Sequence, residues 1–515
     1  MSLRASLWPV LAMVIALASA PARAEEASAV DAATAARVAA LIPAIDAKAP
    51  EAMKAYDVPG LAIGIVAGDR LVYAKGFGVR RKGGTEPVDA KTIFQIGSVT
   101  KSFLAVTEAI MVDRGKLAWD DRVVDLYPAF QLKDPWVTRE FRVYDLLAQR
   151  SGLPQLVDDA IPMAGFDEAA TLSALRDVAP VTSFRTTFSY TNVTHLLASR
   201  IVARAAGAPE WNAVLQKDLL DPLGMRDTTY TAQAIEGAAN HAIGHRWTPQ
   251  GVVETPFTPI FPYRLAGAGD INSNLEDMAR WMRFQLADGA LDGRQIVSKE
   301  NLAVTRLPRV AANDADSYAM GWHIVRTPTG SFFWHDGDAL VFGSFVAMSP
   351  DRNVGVIILT NESNIGFPNA LGAWMMNRLL GNPEVDYLTP NLKGAIAHSE
   401  ATAREFAPPA NPRPSPPLAS LTGAYVSGSF GDTSLDAEGG NLIMKIAATG
   451  ARYRLTPWDG DTFVARLIPE GQFGPIVDLN FMIRAFAQFQ ITDSGKRDLI
   501  RLTFENGQPF EFRRR

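Results

Sequence analysis

Six prolines crowd into ten residues between Pro408 and Pro417: Pro408, Pro409, Pro412, Pro414, Pro416 and Pro417. A proline fixes its own φ, donates no backbone hydrogen bond and cannot continue a helix. A stretch this dense favours extended chain and behaves as a semi-rigid spacer. The 515-residue chain is therefore expected to fold as two units, a large one over residues 25–390 and a small one over 418–515, with a linker over 391–417.

Apolar runs at both ends of the large unit read as strands. Leu61–Ala67 and Leu71–Phe77 flank Gly68-Asp69-Arg70 and form a hairpin. Ser331–His335, Gly343–Met348 and Val354–Leu359 follow much later, the last two joined by the turn residues 350–353. Strands from both ends with helical periodicity between them imply one antiparallel sheet flanked by helices, plus a helical region: an α/β (α+β) unit. Val99, Phe103, Val106 and Ile110 recur at helical spacing, with Gly115 as the stop. Ser273 and Glu276 have capping-box spacing before a further helix. Beyond the prolines, Tyr425-Val426, Leu442–Met444, Tyr453–Leu455, Thr462–Val464 and Leu502–Phe504 are short strands, which suit a small all-β barrel.

The first residues read as an export signal. Arg4 precedes the apolar run Leu7–Ala20, and Ala22-Arg23-Ala24 fits a cleavage site. No later stretch is long and apolar enough to span a bilayer. A mature chain beginning near Glu25, periplasmic or secreted, is the expectation. It would carry 48 basic and 55 acidic residues, a net charge of −7, with no basic block to suit nucleic acid. The absence of cysteine excludes disulfides, thiolate metal sites and a cysteine nucleophile. His241 and His245 are four apart but lack the zincin Glu, and Gly244 lies between them, so no metal or cofactor is expected. A nucleophile elbow, Gly-x-Ser-x-Gly, is also missing.

Three motifs carry the chemistry. In Ser98-Val99-Thr100-Lys101, positions three apart share a helix face, so the amine reaches the hydroxyl. A serine needs a base, and lysine serves only if burial or a neighbouring charge lowers its pKa. Alone the pair is a cheap match, equally explained by an exposed lysine beside a capping serine. Tyr190-Thr191-Asn192 offers two side chains on one side of an extended segment. There the tyrosine, its phenolate stabilised by the lysine, passes protons, and the asparagine orients lysine and substrate amide. Alone it reads as a core tyrosine and a helix cap. His335-Asp336-Gly337 ends a strand, where glycine lets the backbone approach a ligand and an N–H face an oxyanion.

Together, in this order and spacing, the motifs resemble those of the serine β-lactamase and penicillin-binding-protein superfamily, in its class C-like branch of D-peptidases and esterases. Phe94–Gly97, Asp145–Leu147, Ser151–Pro154, Asp221–Met225, Ala266–Gly269, Tyr318–Trp322 and Val354–Asn361 are similar to family segments, and the likeness covers roughly residues 30 to 385. It implies Ser98 as the acylated nucleophile, and Lys101 and Tyr190 as its proton-transfer partners. Asn192 would orient the lysine and the substrate, His335 would be a further catalytic residue, as hydrogen-bond donor, proton relay or contact to a substrate carboxylate, standing where many relatives have lysine, and Ser98, Gly337 and Asp338 would shape the oxyanion and substrate site. The C-terminal unit resembles a lipocalin-like appendage. The expected activity is hydrolysis of amide bonds in small or linear peptides. A carboxylesterase, or a penicillin-recognising binding protein or scaffold with little turnover, is the alternative. Histidine in place of lysine weighs against efficient β-lactamase activity.

Overall fold

The computed structural model describes residues 30–515; the expected export signal over residues 1–24 lies outside them. Its first part comprises α1 (Ala32–Tyr56), β1 (Gly60–Ala67), β2 (Arg70–Gly78), α2 (Thr100–Asp113), α3 (Val193–Ala206) and α4 (Leu275–Leu286). There follow β3 (Val310–Ala311), β4 (Asp316–Tyr318), β5 (His323–Thr327), β6 (Gly330–Asp338), β7 (Gly343–Ser349), β8 (Val354–Thr360), α5 (Phe367–Leu380) and α6 (Leu388–Glu405). The strands form one eight-stranded antiparallel sheet in the order β2-β1-β8-β7-β6-β5-β4-β3. Its two ends in sequence meet one strand in from the edge, where β1 pairs with β8 in the register Leu61↔Thr360 to Ala67↔Val354.

Strands β1, β7 and β8 are buried along their whole length, so both sheet faces are covered and the sequence there is continuously apolar. Alternation still sorts the side chains by face. Leu61, Ile63, Ile65, Val356 and Ile358 pack with α1 and α5. Ala62, Val66, Ile357 and Leu359 face α2, α4 and the helical region. Helix α2 runs between sheet and helical region, and every residue from Thr100 to Met111 is buried. A helix enclosed on all sides makes a rigid mount for whatever its first turn carries.

Two local expectations shift. The cap of α4 is Asn274, whose Oδ1 accepts from Asp277 N at 2.9 Å, rather than Ser273, which lies in a short strand. The stretch expected as linker starts inside α6: Pro390 sits in the first turn, where its missing N–H breaks no helical bond, and irregular chain begins only at the dense prolines.

After them come β9 (Gly423–Ser427), β10 (Gly431–Glu438), β11 (Asn441–Ile446), β12 (Arg452–Asp459), β13 (Thr462–Leu467), β14 (Arg484–Gln490), β15 (Leu499–Phe504) and β16 (Pro509–Arg514), closed into an antiparallel barrel. Phe430, Leu435, Met444, Tyr453, Leu455, Ile500, Leu502 and Phe512 belong to its buried core. That core is continuous with the core of the helical region, through contacts such as Phe166 edge-on to Phe430 at 5.7 Å.

Candidate active site

Gly97 opens the site. Its φ of +50° lies in the left-handed region, and a Cβ there would come within 2.8 Å of Asp338 N. This conformation starts a 3₁₀ turn, Gly97–Val99, that delivers Ser98 half-exposed at the head of α2. Strand β6 presses against the turn from the other side. A Cβ on Gly337 would collide with Ile96 O, an oxygen already taken by the Ser344 hydroxyl at 2.8 Å. The close approach of strand end and turn therefore demands glycine on both chains.

One turn into α2, the Lys101 side chain is fully buried. Its Nζ lies 3.0 Å from Ser98 Oγ, 2.9 Å from Asn192 Oδ1 and 2.9 Å from Ala268 O. Desolvation lowers its pKa from 10.5 to about 7, against the opposing pull of Asp159, Asp336 and Asp270. The contacts suit either charge state. The ammonium form donates to all three oxygens; once neutral, the amine keeps its two bonds to the carbonyl oxygens and turns its lone pair to the serine O–H.

Asn192 occupies the cap position of α3 with helical dihedrals, φ −88° and ψ −35°, not the extended ones expected from the sequence. Its amide still reaches Lys101, and its Nδ2 donates to Asp159 Oδ2 at 2.7 Å. Asp159 is buried, and loss of hydration pushes its carboxyl up to about 7. Tyr190 is held by its own carbonyl, which accepts from Leu156 N at 2.8 Å, and by Gln149 Oε1, which accepts from Thr191 N at 2.7 Å. Its ring centroid is 4.7 Å from Lys101 Nζ. The expected phenolate stabilisation is not what the site produces: burial raises the Tyr190 pKa well above its ordinary value, and a hydrogen bond with Ser98 offsets this only in part. Tyr190 is a phenol that holds its proton.

His335 is fully buried, with both ring nitrogens engaged. Nδ1 donates to Asp336 O at 2.6 Å, and Nε2 accepts from the Tyr318 hydroxyl at 3.1 Å. Burial, then His323 and Lys101, depress its pKa well below 6.5, so the ring is neutral. The Asp336 carboxylate turns away to Asn369 Nδ2 at 2.9 Å and Asn364 Nδ2 at 3.3 Å. Asp338 is exposed at the end of β6, and its Oδ1 accepts from Leu340 N at 2.7 Å. Solvent reaches this carboxyl, yet protein crowds its other sides, and the lost hydration raises its pKa.

Ser98, Lys101, Tyr190 and Asn192 thus meet around one ammonium position, with Gly337 and Asp338 beside the serine turn and His335 behind them. Sequence reasoning missed Asp159, the Ala268 carbonyl and Tyr318. The last two lie in segments that resembled the family, while Asp159 carried no spacing signal. His241 and His245 diverge: His241 Nδ1 donates to Ala238 O at 2.5 Å, and His245 pairs with Asn361 O at 2.8 Å.

A family model described as Beta-lactamase matches residues 45–379, and one for a domain of unknown function, DUF3471, matches residues 407–514. The chain is 26% identical over 437 residues to the unguisins hydrolase ungD of Aspergillus violaceofuscus, covering 76% of each protein. It is 28% identical over 387 residues to penicillin-binding protein 4 of Amycolatopsis lactamdurans, covering 72% of this chain and 93% of the relative. The solved structure of the octameric penicillin-binding protein homologue from Pyrococcus abyssi shares the fold, with a TM-score of 0.60 at 22% identity, over 92% of this chain and 100% of the other.

Proposed function

The chain belongs to the beta-lactamase family of serine hydrolases, and from that premise we propose that it cleaves amide bonds of small or linear peptides through an acyl-enzyme on Ser98. The observation that carries this reading is the buried Lys101 amine, 3.0 Å from Ser98 Oγ with its pKa brought to about 7. Near neutral pH about half of it is unprotonated and able to take the serine proton.

In this reading Ser98 Oγ attacks the substrate carbonyl as its proton passes to Lys101 Nζ. The N–H groups of Ser98 and Asp338 take the developing oxyanion. A leaving amine must be protonated as the C–N bond breaks, and Tyr190, a phenol rather than a phenolate, is placed to donate that proton and be reprotonated from Lys101. Water then attacks the acyl group with the same groups acting in reverse. Asn192 orients the lysine. His335, turned to Tyr318 and Asp336, acts by positioning the strand end. The chemistry uses side chains and backbone alone. The exposed Asp338 carboxyl supports substrates that bring a free amine to the site. The sequence of the first 24 residues supports action outside the cytoplasm, in a periplasm or after secretion.

Steady-state hydrolysis of D-alanyl amides and p-nitrophenyl esters tests the reading. Sustained amide turnover that Ser98→Ala abolishes supports it. Turnover of esters alone would make the protein a carboxylesterase, and one stoichiometric acylation without turnover would make it a binding protein or scaffold, with penicillin as the next probe.

A further inference from the structure

The last hairpin of the barrel reaches into the catalytic unit. Between β15 and β16, Glu505-Asn506-Gly507-Gln508 turns the chain, and Gln508 is buried although it sits in a turn. Its Oε1 accepts from Asp158 N at 2.8 Å, and its Nε2 donates to Asp158 Oδ1 at 2.6 Å. Asn506 Nδ2 donates to Leu156 O at 2.9 Å and Gln155 O at 3.3 Å. The hairpin thus clamps the segment 155–158 by four hydrogen bonds.

That segment needs a clamp. Leu156 and Asp158 hold φ of +50° and +61°, the left-handed region that side chains other than glycine avoid. Immediately after it comes Asp159, whose Oδ2 accepts from Asn192 and whose buried Oδ1 has no partner. Leu156 N also holds the Tyr190 carbonyl at 2.8 Å. A chain of direct contacts therefore runs from Gln508 through Asp158 and Asp159 to Asn192, Lys101 and Ser98.

We propose that Gln508, on the barrel, is a positioning residue for the hydrolase reaction, which fixes the 155–159 loop and through it the dry setting of Lys101. The inference rests on the reading of Ser98 and Lys101 as nucleophile and base. It gives the barrel, whose buried side chains join the core of the helical region, a role in completing the site.

Releasing the clamp lets the loop relax and water approach the lysine. Desolvation is the largest cause of the low Lys101 pKa, so hydration returns that pKa toward 10.5. The groups whose charge or ring acts on the amine are Asp159 on the loop, Tyr190 and His195 beside it, Asp270, His335 on β6 and, from its turned-away position, Asp336. None is removed by substitution at Gln508; Asp158, next to Asp159 and raised to about 7 by burial, loses the Gln508 hydrogen bond that lowers it and becomes harder to ionise. Less neutral amine remains at pH 7, while at high pH the amine is neutral again.

The test is the pH dependence of kcat/KM for a p-nitrophenyl ester in wild type, Gln508→Ala, Asn506→Ala and the barrel-surface control Arg497→Ala. For Gln508→Ala the acid limb is expected to move up by about one pH unit, roughly a fivefold loss at pH 7 that approaches about tenfold below pH 6 and closes to under about twofold by pH 9.5. Asn506→Ala moves the limb in the same direction by less, and it carries the test if Gln508→Ala does not fold. Arg497→Ala, which breaks only an ion pair with Asp461 at 2.6 Å, leaves the profile unchanged. An unchanged profile in both hairpin variants, or an equal loss at every pH, overturns the inference. If wild type itself shows no activity dependent on Ser98, the reading of the site fails instead.

Discussion

The pH at which the enzyme switches on follows from the surroundings of Lys101. An ordinary lysine with a pKa of 10.5 is neutral in about one molecule in 3,000 at pH 7. Lys101, lowered to about 7, is neutral in about half, a gain in available base of over about a thousandfold. The base works only when deprotonated, so the rate rises with pH. The logarithm of kcat/KM for a p-nitrophenyl ester is expected to climb with unit slope below about pH 7 and level above it, leaving about 1% of the plateau at pH 5. Asp159 and Asp270, also raised to about 7 by burial, titrate with the amine, so the midpoint belongs to the cluster. Lys101→Arg separates the contributions. A guanidinium stays charged at every accessible pH, so this variant should lose at least about a thousandfold and show no recovery up to pH 10. A wild-type profile flat from pH 5 to 9, a limb near pH 10, or a Lys101→Arg variant within tenfold of wild type would refute the neutral-lysine reasoning.

Three further outcomes follow. Tyr190→Phe should reduce amide hydrolysis about a hundredfold or more and ester hydrolysis much less, because an amine leaves only when protonated; paired kcat values on matched amide and ester substrates check it. Asp338→Asn should lower kcat/KM for peptides with a free amino terminus by about tenfold relative to their N-acetylated forms, and an unchanged ratio removes Asp338 from substrate selection. Asp145, fully buried, binds Arg150 at 2.9 Å and Arg185 at 2.6 Å, so Asp145→Ala should destabilise the catalytic unit by about 3 kcal/mol, read as a lower urea midpoint.

What could be read in the sequence was what regular spacing encodes. The runs Leu61–Ala67 and Val354–Leu359 became paired interior strands because continuous apolarity marks strands covered on both faces. Ser98 and Lys101 came together because three residues of helix put them on one face. The barrel strands starting at Gly431, Arg484 and Pro509 were passed over: the first carries one large apolar residue, Leu435, and the other two space Phe486, Phe489, Phe510 and Phe512 among small or polar residues, without the run of large apolar side chains that marked the others. Asp159 and Gln508 were invisible for another reason. Their importance comes from a loop and a hairpin 350 residues apart, joined only when the barrel docks. The phenol state of Tyr190 was also hidden, because proximity to an ammonium argues one way and the depth of burial decides the other.

The central claim is that Ser98 is activated by this arrangement. Intact mass after brief exposure to a fluorophosphonate, on the mature protein and on Ser98→Ala, tests it most directly. The account predicts a single adduct on the first and none on the second. No adduct on the unaltered protein, or an equal adduct on Ser98→Ala, would contradict it.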